Sequence, residues 1–217
     1  MRLVLEVFSI WKSFLSKKKN LLEVILTILF SAFFVFLFRD FLVLVESWDH
    51  NLGVFNDPLF LFKPIDLSIP IFLFTYGTMG FFVFYHLKDP IKLINLIQIV
   101  IILLALRGIS LYFIRLDADP NMIVLQDPVL NTFIYQINEK TQMYNQHDLF
   151  FSGHTANLFL VSILYRNKKL KYIFLIVTFL MGTCLILQRA HYSIDVIFAP
   201  LFSLMALFLH RKIKITK

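Results

Sequence analysis

The sequence predicts an all-α integral membrane protein with six transmembrane helices and an N-terminal amphipathic helix at the membrane surface. Three observations predict it. Of the 217 residues, 59% are hydrophobic and 26 are Phe, and the mean hydropathy is +0.75. A soluble domain of this size has too little interior to bury so much apolar side chain, whereas a bilayer solvates it. The apolar residues gather into six stretches of about the length a crossing needs, near 20 residues. The basic residues fall mostly between alternate pairs of those stretches.

The first element is "MRLVLEVFSIWKSFLSKKKN". Its apolar residues recur at helical spacing, and it ends in Lys17, Lys18 and Lys19. It reads as an interfacial helix over residues 1–20 with Trp11 as the anchor, not as a cleaved signal. Residues 21–217 then form one transmembrane domain with no internal repeat. The first span covers about 21–38 and extends to about 45. Glu23, near its inner end, is expected to reach for the interface. The second span covers 68–85 and is followed by "HLKDP". The third covers 91–113. The fourth, 151–165, is short. The fifth covers 172–187 and the sixth 191–209. "NDP" and "DADPN" read as turns.

Charge sets the direction. A net charge of +7 is compatible with nucleic-acid binding, but in so apolar a chain it marks cytoplasmic ends. With the N-terminus inside, the inner segments hold Arg2, Lys12 and Lys17 to Lys19. They also hold Lys88, Lys92, Arg166, Lys168, Lys169, Lys171, Arg211, Lys212, Lys214 and Lys217. That is 15 of the 21 Lys and Arg residues. Only Arg39, Lys63, Arg107, Arg115, Lys140 and Arg189 fall outside. Both termini are therefore expected in the cytoplasm, since an odd number of spans would export "RKIKITK". The single cysteine, Cys184, excludes a disulfide framework and a cysteine-type zinc site.

Two polar stretches interrupt the apolar pattern. "HDLFFSGHTANLFL" runs over 147–160 and "RAHYSIDVIF" over 189–198. The first opens the fourth span and the second opens the sixth. The fifth span reverses the chain between them, so both lie at the outer face and at similar depth. The loop over about 114–150 sits above them as a lid, a collar or a plain connection. Ser152 can cap the fourth helix, and Gly153 lets an anion approach the backbone. The free amides of a first helical turn attract an oxyanion, and His154 can supply a proton. The plainer alternative is a structural N-cap beside an interfacial histidine. His191 and Asp195 are four residues apart, which puts them on one helical face. Asp195 can hold one ring nitrogen and leave the other as base or nucleophile. The plainer alternative is a structural pair, because an unpaired carboxylate one turn inside an apolar helix is costly. Tyr144, His147, Asp148 and Tyr192 line the same rim. They either shape a headgroup pocket or belong to a solvated loop.

"SGHT" and "HYSIDV", with Asp148 four residues before Ser152, resemble the type-2 phosphatidic acid phosphatase superfamily. The closer resemblance is to its sphingomyelin-synthase-like branch, with Ser193 where that branch reads Thr. The resemblance implies a lipid phosphatase or headgroup transferase working through phosphohistidine, with no metal and no cofactor. His191 would attack phosphorus, Asp195 would orient it, and His154 would protonate the leaving alcohol. Ser152 and the Gly153 amide would hold phosphoryl oxygens. Membrane lipids would be the substrate and, for a transferase, the acceptor. The superfamily's Lys and Arg-Pro motif is missing, and Leu185 stands where an Arg is usual before the nucleophile. Arg107, in "ALRGISLYF", and Arg189 are the expected substitutes, with Arg115 and Lys140 in reserve. Two other classes compete. One is an intramembrane serine protease with Ser152 as nucleophile and His191 as base. The other is a catalytically inactive lipid-binding or transport protein of the same fold. The expected location is a bacterial inner membrane with the site facing the periplasm, or else a secretory-pathway membrane.

Overall fold

The computed structural model describes residues 2–49, 52–125, 127 and 146–215. Among the described residues, seven helices carry almost all the regular structure: α1 (Arg2–Leu15), α2 (Lys18–Glu46), α3 (Ser68–Tyr85), α4 (Pro90–Phe113), α5 (Gly153–Leu164), α6 (Lys168–Leu187) and α7 (Ser193–Ile215). Five of them, α2, α3, α4, α6 and α7, are long and apolar enough to cross a membrane. The expected fourth span is α5, a shorter apolar helix of 12 residues. Among the described residues the fold is all-α, with one isolated bridge between Val54 and Asp117.

Local chemistry explains the boundaries. Asp89 caps α4 by accepting from the Lys92 amide, and Pro90 supplies a fixed φ at the first helical position. Asn167 caps α6 through the amides of Lys169 and Leu170. That cap starts α6 four residues before the apolar stretch that begins at 172. The start of α7 is Ser193, because Asp57 reaches from the loop after α2 to accept both the Ser193 amide and its hydroxyl. The surface helix α1 buries no residue of its own. It docks by the Trp11 indole N–H, which donates to the Leu87 carbonyl at 2.8 Å, and by a Glu6–Lys88 pair at 2.8 Å.

The helices pack around α5. It lies against α6 and α7, while α4 bridges α7 to α2. Its Ala156, Leu158, Leu160 and Val161 are fully buried. Gly182 of α6 permits a close approach in this core: a Cβ there would stand 2.5 Å from Val196 Cγ1 on α7. By contrast, α2 buries only Thr27 and Val45 and is apolar on every side, the surface expected of a helix facing lipid. At one end of the bundle, Gln98 donates to Glu23 and Thr27, His210 meets Gln98, and Lys214 reaches Glu23 and Asn95. These contacts gather the start of α2, the start of α4 and the end of α7, where Lys and Arg concentrate. Glu23 thus sits in a polar network rather than reaching out alone. At the other end, the entrances of α5 and α7 meet.

Candidate active site

The two polar stretches face each other. The Ser152 amide donates to the Asp195 carbonyl at 3.1 Å, joining the first turns of α5 and α7. Ser152 is the N-cap of α5, and its Oγ accepts from the Thr155 amide at 3.3 Å. Among the described residues no acceptor takes the amides of Gly153 and His154, so the first turn keeps free donors at the site.

On α7, the Asp195 carboxylate is wholly buried. Its Oδ2 accepts from the Tyr192 amide at 2.9 Å and faces His191 Nδ1 at 3.4 Å. With Nδ1 turned to the carboxylate, Nε2 is the nitrogen left for chemistry. Asp195 Oδ1 has no partner among the described residues. His154 lies within reach of the charges of His191, Arg107, Asp148 and Asp127. Its ring meets Phe72 edge-on at 5.9 Å. Both histidines therefore lie at the same end of the bundle, at the joined entrances of α5 and α7.

Of the two expected arginines, the structure brings one to the site. Arg107 is buried, and its Nε and Nη2 hold Asp148, at 3.0 Å and 2.7 Å to Oδ1 and 2.9 Å to the backbone carbonyl. Its Nη1 is buried without a partner among the described residues, and a Cβ on Gly153 would lie only 3.3 Å from it. A charged donor thus points at the helix entrance where the bare amides are. Arg189 does something else. Nη1 pairs with Asp119 at 3.1 Å, Nη2 donates to the Phe62 carbonyl at 3.0 Å, and the guanidinium lies 4.9 Å over the Phe60 ring. Its backbone has φ 56°, with the Arg189 amide on Ile186 and the Ala190 amide on Leu185. This is a Schellman ending with Arg where Gly is usual. Arg189 clamps the turn that delivers His191. It lines a separate cavity of about 270 Å³ with Asp57 and Asp119.

The remaining rim residues are placed as follows. Asp148 belongs to the site as the partner of Arg107. His147 sits farther out, with Nδ1 at 2.7 Å from Glu46 and Nε2 at 3.7 Å from Asp117. Tyr192 is buried between Phe55 and Phe60, and its hydroxyl donates to the Asp117 carbonyl at 2.8 Å; it holds the loop down. Arg115 lies 4.5 Å over the Trp48 ring. Tyr144 and Lys140 fall outside the described residues.

Sequence reasoning missed three groups. Asp57 caps the helix that carries Asp195. Gln188, fully buried, accepts from the Leu67 amide at 2.8 Å and donates to Ser68 Oγ at 3.0 Å and the Ile123 carbonyl at 3.1 Å. Asp127 accepts from the Tyr76 hydroxyl at 2.7 Å beside His154. Their one signal is polarity at an apolar boundary, which does not say what each meets.

A transmembrane helical bundle with two histidines, a carboxylate and a guanidinium at paired helix entrances has the outline of an anion-handling membrane enzyme. Residues 147–212 match the family model described as PAP2 superfamily C-terminal. The match supports the chain as a member of the type-2 phosphatidic acid phosphatase superfamily, and so as a multi-pass membrane protein of the lipid phosphatase or phosphotransferase type. No curated protein and no solved structure shows significant similarity to it.

Proposed function

We propose that this protein transfers a phosphoryl group from a lipid phosphate or phospholipid headgroup through a phosphohistidine on His191. The observation that carries the reading is the Ser152–Asp195 backbone bond at 3.1 Å, which sets the His191–Asp195 pair beside the bare amides of α5, with Arg107 and His154. His191 Nε2 attacks phosphorus, a nitrogen–phosphorus bond forms, and the phosphorus–oxygen ester bond breaks. His154 gives its proton to the departing alcohol oxygen. Asp195 holds Nδ1–H and stabilises the positive ring. Arg107 Nη1 and the Gly153 and His154 amides take the phosphoryl oxygens, with Ser152 fixing the turn that presents them. Water then releases phosphate, with His154 as base, or a second lipid alcohol takes the group. On the six-span reading, with α5 as a short fourth crossing, the site lies at the outer face and both termini lie on the basic, cytoplasmic side.

The test is capture of the intermediate. Purified protein mixed briefly with labelled phosphatidic acid is expected to carry acid-labile, base-stable label, and His191→Ala is expected to carry none. Label that persists in His191→Ala, or turnover by that variant, overturns the scheme. Label leaving as inorganic phosphate identifies a phosphatase, and label entering a second lipid identifies a transferase. The protease reading has less support, because Ser152 Oγ is fully buried and bonded to Thr155. If the protein binds labelled lipid yet forms neither adduct nor product, the inactive lipid-binding reading stands instead.

A further inference from the structure

The end of the bundle away from the histidines holds a second site. A cavity of about 480 Å³ opens there between α4, α5 and α7. Its origin is a mismatch of helix lengths. The entrances of α5 and α7 are tied together, yet α5 has 12 residues and α7 has 23. At 1.5 Å per residue, α7 continues about 16 Å past the end of α5. The space beneath α5 is left without a helix. Phe82, Ile99, Leu164 and Leu207 make its walls apolar.

The rim is cationic. Lys92, Arg166, Arg211 and Lys214 line it, with Asn95 and His210, and no carboxylate does. Lys92 has Asp89 at 3.6 Å and Lys214 has Glu23 at 3.2 Å. Neither Arg166 nor Arg211 has a side-chain partner among the described residues. A free anion would suit the rim but leave the walls wet. A neutral lipid would suit the walls and leave two guanidinium groups without a counter-charge. A molecule with one phosphate on an acyl-chain body suits both.

We propose that this cavity binds an anionic phospholipid, with its phosphate between Arg166 and Arg211 and an acyl chain along Phe82, Ile99 and Leu207. The site is separate from the histidine pair, because the full length of α5, about 18 Å, lies between them. Its occupant therefore stays bound while the proposed chemistry proceeds at the other end.

The test uses full-length protein in phosphatidylcholine nanodiscs that carry a trace of photoactivatable phosphatidic acid. Cross-linked peptides are mapped by mass spectrometry. Adducts are expected within 92–99, 164–166 and 207–214. Unlabelled phosphatidic acid should suppress them, while added phosphatidylcholine should not. Arg166→Gln with Arg211→Gln should lower these adducts about tenfold. Lys168→Gln with Lys169→Gln, on the same face but outside the cavity, should leave them unchanged. Equal suppression by phosphatidylcholine overturns the proposal, as does undiminished labelling in the double arginine variant. Suppression by inorganic phosphate but not by phosphatidic acid assigns the rim to a soluble anion and also overturns it. Should the arginine variant fail to fold, the competition on the unaltered protein decides alone.

Discussion

Gly153→Ala separates the proposed oxyanion site from mere helix capping. The new Cβ would lie 3.3 Å from Arg107 Nη1, 3.4 Å from Cζ and 3.6 Å from Nε. The first contact is tighter than ordinary packing, so the guanidinium must shift by about a few tenths of an ångström. It cannot swing away freely, because Nε and Nη2 are held on Asp148 at 3.0 Å and 2.9 Å. The shift falls on Nη1, the nitrogen proposed to meet a phosphoryl oxygen. Alanine also gains up to about 1 kcal/mol of helix propensity over glycine, which offsets crowding of similar size. Stability should change by less than about 1 kcal/mol. Activity should change far more. A hydrogen bond to a charged group is worth about 1.5–3 kcal/mol, so losing it lowers kcat/KM by about 10- to 100-fold. The assay is phosphate release from a short-chain phosphatidic acid in detergent, beside a thermal unfolding curve. Unchanged kcat/KM in a normally folded variant refutes the role given to Arg107 Nη1. Parallel loss of activity and fold refutes the claim that the contact is cheap.

Asp195→Asn keeps the shape of the carboxylate but not its charge, so His191 loses the partner that fixes its tautomer. Turnover should fall by about 10³-fold or more while phosphatidic acid still binds; a fall below tenfold removes Asp195 from the scheme. Gly182→Ala drives a methyl group into Val196 Cγ1, 2.5 Å away. Overpacking of this kind costs about 1–3 kcal/mol. Adding Val196→Ala should restore the unfolding midpoint, and absence of rescue places the strain elsewhere. Asp66 accepts from the Ser68 amide at 3.0 Å at the start of α3, and that bond holds its carboxyl below the ordinary 3.8. Its contribution is therefore present above that ordinary value and lost as pH falls through the lowered one. Asp66→Asn should flatten the dependence of the unfolding midpoint on pH below about 4, and an unchanged acid limb counts against the bond.

The spans were legible because hydrocarbon demands long runs of apolar residues, and such runs are visible without tertiary information. The helix over 68–85 has the expected ends, and α4 differs by one residue. The motif pair was legible for a related reason: polar side chains beside lipid have few structural uses. What stayed hidden depends on partners distant in sequence. Asp57 meets Ser193 across 136 residues, and Gln188 meets Leu67 across 121. No periodicity encodes such pairs. Arg189 is the instructive case. Two residues before His191, it looks placed for phosphate. Yet Asp119 takes its Nη1 and the Phe62 carbonyl its Nη2, and its positive φ turns the chain. The short span over 151–165 became a 12-residue helix because Ser152 caps it at one end and Tyr165 leaves helical geometry at the other.

The absent Lys and Arg-Pro positions ask what balances phosphoryl charge in the proposed reaction. Among the basic candidates described, Arg107 leaves a buried donor facing the entrance of α5. Its pairing with Asp148 cancels most of its long-range field, so attraction of distant anions is not its strength. The same pairing locks the fork, and a locked donor loses no reorganisation energy when charge develops nearby. An unmet buried donor costs the empty site about 1–3 kcal/mol, and an arriving oxygen relieves that cost. The α5 amides act alike, since capping by Ser152 fixes them before any ligand comes. In a low-dielectric setting a few oriented donors carry more weight than several mobile cations in water. In the proposed reaction, a site of this design selects by fit at the phosphoryl group itself. That is how it can do without the missing basic motif, provided Arg107 and the entrance of α5 remain rigid together.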